Sequence, residues 1–138
     1  MTPTLLGRLQ TRLLVTAVIG GAWTALLAPI LPAGAGGMFR SAFALIGLVI
    51  LLGLGWELVY HGLQQLRWEK DWPTMLGLVT GITEGLLVWI IAARTGPSIP
   101  ASAFVVHFGT TWLLIWAFVN GPIRVIAPRW RFRGGRFL

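Results

Sequence analysis

Cysteine is absent from this sequence. That excludes disulfides, thiolate metal sites, cysteine nucleophiles and CxxC redox chemistry. Charge is scarce as well. Only 11% of the residues are charged, against roughly 25% in soluble domains, too few to cover a water-soluble globule. The acidic residues are four, Glu57, Glu69, Asp71 and Glu84, and Lys70 is the single lysine. No Ser–His or Cys–His nucleophile arrangement occurs, and no glycine-rich phosphate loop follows a strand, so an autonomous enzyme is not expected. No internal repeat is visible, which argues against inverted transporter halves within one chain.

What the chain has in excess is apolar surface: 56% of its 138 residues are hydrophobic. A helix needs about 20 apolar residues to cross the hydrocarbon core. Four stretches qualify, at about residues 13–31, 41–63, 74–93 and 102–120. Backbone inside lipid must be hydrogen-bonded internally, so segments of this length are helices. The expected fold is an all-α integral membrane protein of four transmembrane helices in an antiparallel bundle. It forms a single membrane domain over residues 1–138, with a basic tail over 121–138. The connections LPAGAGGMFR and RTGPSIPA are rich in Gly, Pro and Ser, as loops are. The middle connection, QQLRWEKDWP, is short and charged and makes spans two and three a hairpin. Pro73 falls where the third helix begins, where its missing N–H costs nothing.

Lysine and arginine bias sets the orientation. Nine fall on one side (Arg8, Arg12, Arg67, Lys70, Arg124, Arg129, Arg131, Arg133, Arg136) and two, Arg40 and Arg94, on the other. Both termini are therefore expected in the cytoplasm, and the expected location is a bacterial inner (plasma) membrane. Ala33, Gly34 and Ala35 resemble a signal-peptide cleavage site, but the preceding run of about 19 apolar residues exceeds the 7–15 of a signal core, so an uncleaved first span is expected.

Small residues govern close packing in lipid. Gly77, Gly81 and Gly85 form a GxxxG ladder in span three, and Ala17, Gly21 and Ala25 repeat the spacing in span one, so these two faces are expected to meet. In span four, Phe104, Phe108, Trp112 and Trp116 make an aromatic stripe, expected to serve packing or lipid contact because nothing polar nearby anchors a ligand. Trp68, Trp72 and Trp130 fit an interfacial belt. Trp23, Trp112 and Trp116 lie too deep for one.

Ionisable groups inside a membrane are functional candidates by default. Here they are Glu57, His61, Glu84 and His107. Glu57 and His61 share a helix face at i and i+4, with Tyr60 and Gln64 beside them. By helical rise, Glu57, Glu84 and His107 stand at about 9, 15 and 22 Å from the cytoplasmic boundary, the staggered order a proton relay needs. The histidines are too far apart in depth to share a haem. The chain also lacks the four carboxylates and Glu-x-x-His pairs of a diiron bundle. Neither a metal nor a cofactor is expected.

After Pro122 the chain reads IRVIAPRWRFRGGRFL. Arg129, Trp130, Arg131, Phe132, Arg133 and Arg136 in this tail are expected to contact anionic lipid or an acidic partner, each Arg contributing about 1 kcal/mol at such a surface. Nucleic acid is not expected as a partner, since topology and lipid anchoring account for these arginines. Two functions fit. The first is a non-catalytic subunit or assembly factor of a larger membrane complex, docked through the glycine and aromatic faces. The second is a small oligomeric proton or proton-coupled transporter or channel using Glu84, with Glu57 and His61 at the cytoplasmic port and His107 at the outer one.

Overall fold

Thr4 starts the first helix: its Oγ1 accepts a hydrogen bond from the Gly7 backbone N–H at 3.1 Å, satisfying one of the donors a helix start leaves free. The computed structural model describes residues 2–32, 38–69, 71–96 and 99–138. The elements are α1 (Leu5–Val15), a π-helical segment (Thr16–Gly20), α2 (Gly21–Leu27), α3 (Met38–Leu66), α4 (Thr74–Thr95), α5 (Ala101–Asn120), and two short helices, α6 (Pro122–Ile126) and α7 (Pro128–Phe132). No strand occurs among the described residues.

Four helices are long and apolar enough to cross a membrane: Leu5–Leu27 (α1, the π segment and α2 in continuity), Met38–Leu66, Thr74–Thr95 and Ala101–Ile126. This makes the chain a multi-pass membrane protein in composition and length. The outward faces carry Leu51, Ile82, Leu86, Val105 and Leu113, all exposed. Such a surface suits hydrocarbon and would not stay soluble.

The first span departs from the sequence expectation at both ends. It begins at Leu5 rather than near 13, and its helix ends at Leu27. Arg8 and Arg12 thus lie inside the helix, both buried. Residues 33–35, where a cleavage site was considered, and Lys70 lie outside the described residues. Pro73 precedes α4 with φ −60° and ψ 136°, one position before the first turn in which it was expected.

The apolar core centres on Leu45, Ile46 and Val49 of α3, Val88 and Ala92 of α4, and Phe104 and Phe108 of α5. The glycine ladder meets a different neighbour from the one expected. A methyl group at Gly81 would collide with the Trp112 ring, and one at Gly85 would sit 2.7 Å from Phe108. Both glycines therefore seat the aromatic stripe of α5 rather than the first span. Ala17 and Ala25 are exposed, and a methyl group at Gly21 would meet nothing within 4 Å. The expected glycine–alanine contact does not form, because the first span turns its arginine and threonine face inward instead.

The tail corrects a second expectation. Trp130 is buried, not spread on a lipid surface. It packs with Val15 and Ile123, and its indole N–H donates to Thr11 Oγ1 at 2.8 Å. Thr11 in turn donates to the Gly135 carbonyl at 2.8 Å, and the Thr4 N–H donates to the Gly134 carbonyl at 2.9 Å. Gly134 and Gly135 have φ of 61° and 88°, which lets the chain reverse and lie against Gly7. A bilayer surface offers the indole N–H no fixed acceptor, whereas Thr11 does. Arg129, Arg131, Phe132, Arg133 and Arg136 remain exposed.

Candidate functional site

Two arginines of α1 reach across the bundle toward two glutamates. Arg8 and Arg12 are one turn apart and so point the same way. Arg8 Nη1 lies 3.3 Å from Glu57 Oε2, while its Nε and Nη2 donate to Gln64 Oε1 at 3.1 and 2.8 Å. Arg12 Nη2 donates to Glu84 Oε2, and Arg12 Nη1 stands 4.0 Å from Glu57 Oε1. Tyr60 donates its hydroxyl to the second oxygen of Glu84 at 3.0 Å. Arg12 is therefore a cation between two carboxylates, held closely by Glu84 and within ion-pair range of Glu57.

The aromatic residues complete the enclosure. The Arg8 guanidinium lies 4.7 Å from the Trp72 ring centre, and that of Arg12 lies 4.9 Å from the Trp112 ring centre. Each contact is a cation–π pair, stronger in a desolvated site. Tyr60 stacks on Trp56 and tilts against Trp72, both at 5.5 Å. Gly53 of α3 makes the room: a methyl group there would overlap the Arg12 guanidinium.

These side chains line a cavity of about 560 Å³, whose wall includes Arg8, Arg12, Glu57, Tyr60, Trp72, Glu84, Trp112 and Trp116. Pro3, Arg67, Asp71, Asn120 and Arg124 lie around it as well, so the cavity faces the end of the bundle that holds both termini. Glu84, from the middle of α4, is buried. Burying four charges is costly unless they pair in good geometry. Here each carboxylate has a guanidinium, and the four formal charges of Arg8, Arg12, Glu57 and Glu84 sum to zero.

Glu57 and Glu84 thus come together as candidates, joined by Arg12. His61 does not join them. Its Nε2 is 3.5 Å from Gln65 Nε2, and Glu57 turns instead to the arginines. His107 is buried elsewhere, with Nε2 2.8 Å from Thr24 Oγ1. Thr24 also donates to the Gly20 carbonyl at 2.7 Å, so the consistent arrangement has the imidazole N–H donating to Thr24. No group of three or more His, Asp or Glu able to hold a metal occurs among the described residues.

Three tryptophans that no interfacial belt explains find their reason here. Trp112 donates to the Leu78 carbonyl at 3.2 Å, Trp116 to the Thr74 carbonyl at 3.0 Å, and Trp23 to Thr110 Oγ1 at 2.9 Å. Each indole ties one span to another. Arg8 and Arg12 are the residues of this candidate site that sequence reasoning missed, counted as loop charges at the edge of an apolar run. A signal was available: two arginines at i and i+4 beside two intramembrane carboxylates that had no cation assigned.

No family model, no curated protein and no solved structure matches this chain.

Proposed function

We propose that this protein is a small, non-catalytic, oligomeric proton transporter or channel of the bacterial inner membrane, with four antiparallel spans and both termini in the cytoplasm. One observation carries the reading: a cavity whose floor is two arginine–glutamate pairs buried inside membrane-spanning helices. A scaffold gains nothing from such a network, since apolar packing of the same volume is commonly as stable or more so. Intramembrane carboxylates facing a cavity mark ion and proton pathways.

The shared cation supplies the mechanism. With Glu84 ionised, Arg12 lies on it; when Glu84 takes a proton from the cavity, Arg12 is released toward Glu57 Oε1, already 4.0 Å away. Protonation at one carboxylate therefore moves a charge toward the other. Orientation rests on Lys/Arg bias. With Arg8 and Arg12 now inside the helix, seven of the original nine remain on the terminal side, against Arg40 and Arg94 on the other. The exposed Arg129, Arg131, Arg133 and Arg136, with Phe132, suit anionic lipid on that side.

The test is proton flux in liposomes holding the purified chain, with a pH-sensitive dye inside. Wild type should dissipate an imposed pH gradient, and Glu84→Gln should not, while elution volume and helical content stay those of wild type. Unchanged flux in Glu84→Gln would sink the reading.

A second reading has its own observation. Ala17, Gly21 and Ala25 form a small-residue face that nothing in the described chain covers. Such faces dock helices in lipid, which suits a subunit or assembly factor of a larger membrane complex, or a homo-oligomer. Purification from native membranes in mild detergent separates the two: stoichiometric co-eluting chains favour the subunit, and a lone homo-oligomer favours the transporter.

A further inference from the structure

Above the arginine pairs the first span continues as a polar stripe. Arg8, Arg12, Thr16, Gly20, Thr24 and Ala28 recur every fourth residue, and all six are buried. In a straight α-helix every fourth residue drifts by about 40°, so a stripe this long would spiral out of the interior. The π-helical segment at Thr16–Gly20 falls within it. Its wider i→i+5 turn offsets the drift and keeps the stripe facing inward.

What it faces is α5. At Gly20 it meets α3 as well: a methyl group there would lie 3.1 Å from Ile46 of α3 and 3.5 Å from both Thr111 Cγ2 and Ile115 of α5, so the three helices meet closely at that point. Thr111 and His107 are one turn apart on α5 and both are buried. Ile115, a turn below Thr111, lines the cavity together with Arg12, Glu84 and Trp112. Four polar side chains, Thr16, Thr24, His107 and Thr111, are at most 3% exposed within this seam. Thr16 Oγ1, Thr111 Oγ1 and His107 Nδ1 have no hydrogen-bond partner among the described residues. Buried polar atoms are satisfied in native proteins, by protein or by ordered water. Each of these three atoms therefore calls for a partner that the described side chains do not supply.

We infer that the seam between the first span and α5 binds a file of water molecules that carries protons between Glu84 and His107. The inference rests on the proton-transport reading and deepens it by naming the path. From Arg12 to Thr24 the file covers about 18 Å at helical rise. A proton leaves the Glu84 carboxyl group for the nearest water, leaving a carboxylate on Arg12. Each water passes one proton on and receives one, with Thr16 and Thr111 hydroxyls as stations. His107 Nδ1 accepts the last proton and becomes imidazolium, while its Nε2–H stays on Thr24. Beyond His107, Leu31, Met38 and Ala103 pack with Leu27 and Ile99 in an apolar layer, which must part for the proton to leave on that side.

Deuterium exchange at the imidazole C2–H, read by mass spectrometry on the full chain in nanodiscs, tests the file without needing transport. His61, half-buried at the terminal end, is the internal reference. His107 should exchange despite its burial, and Thr16→Val with Thr111→Val should slow it by about tenfold while leaving His61 unchanged. A fully protected His107 in wild type, or an unchanged rate in the double variant, overturns the file. The same variant then goes into the liposome assay. Loss of flux with folding intact supports the file. Retained flux overturns it and leaves the transporter standing, whereas absent flux in wild type overturns the transporter and leaves the exchange result to decide the file.

Discussion

Arg12 illustrates how one residue can organise a membrane interior. Its guanidinium pairs with Glu84, faces Glu57, lies on Trp112 and occupies the space Gly53 leaves open. That crowding makes Gly53 sensitive. Gly53→Ala should displace the guanidinium and cost about 1–3 kcal/mol, the usual penalty of overpacking. Gly47→Ala, on the same helix with nothing within 4 Å, should stay within about 0.5 kcal/mol of wild type. Unfolding of micellar protein by added SDS measures both, and equal effects would refute the crowding argument. Removing the cation should be worse: Arg12→Ala leaves Glu84 buried and unpaired, at a cost of about 3–5 kcal/mol. Adding Glu84→Gln to Arg12→Ala should recover part of that loss, because the orphaned charge is gone; failure to recover would mean the pair does not set the stability. At this scale Glu57 and Glu84 were legible because a carboxylate inside an apolar run has no ordinary explanation. The arginines were not, since arginine beside a span satisfies the orientation rule without further cause.

Elements show a different division. That Gly81 and Gly85 mark a close approach was legible from spacing, but the partner was not: bulk on the facing helix decides, and the rings of Phe108 and Trp112 fill the groove. The Ala17, Gly21 and Ala25 face had the same spacing and no such partner. Burying the Arg8–Thr24 face pairs both arginines with glutamates and joins Thr24 to His107, and those terms outweigh the small gain from packing small residues. The tail behaves as a latch on α1. Trp130→Ala removes a buried ring and the hydrogen bond to Thr11, and should cost about 3–5 kcal/mol if docking is coupled to the bundle. Trypsin reports on it directly. Cleavage after Arg131, Arg133 or Arg136 should be markedly faster in Trp130→Ala than in wild type, whereas Phe132→Ala, altering a side chain 87% exposed, should not change it. Equal cleavage in the two variants would mean the tail is not held by Trp130.

For the whole molecule, the lack of cysteine is an experimental advantage. Any introduced thiol is unique, so each variant reports a single position. Trp68→Cys and Leu138→Cys, both at exposed residues of the terminal side, should react with a membrane-impermeant maleimide only in inside-out vesicles. Ile30→Cys, at the opposite end of the first span, should react only from the outside. Labelling of Trp68→Cys and Ile30→Cys from the same face would break the four-span topology. The cavity lies toward the end of the bundle that holds both termini, and an apolar layer lies beyond His107 toward the other end.

Composition and apolar run length determined the class, the number of spans and the direction of the charge bias, because the cost of unpaired backbone and charge in hydrocarbon depends on residue type and length alone. The same reasoning exposed Glu57, Glu84 and His107 as out of place. What only the tertiary structure decided was pairing: that Arg8 and Arg12 enter the helix to meet Glu57 and Glu84, that His61 stands apart, and that Trp130 folds back onto Thr11. Each of these depends on which side chains from distant parts of the chain reach one another. A buried charge or indole N–H takes the partner that lies within hydrogen-bond distance, and a linear pattern holds no record of that distance.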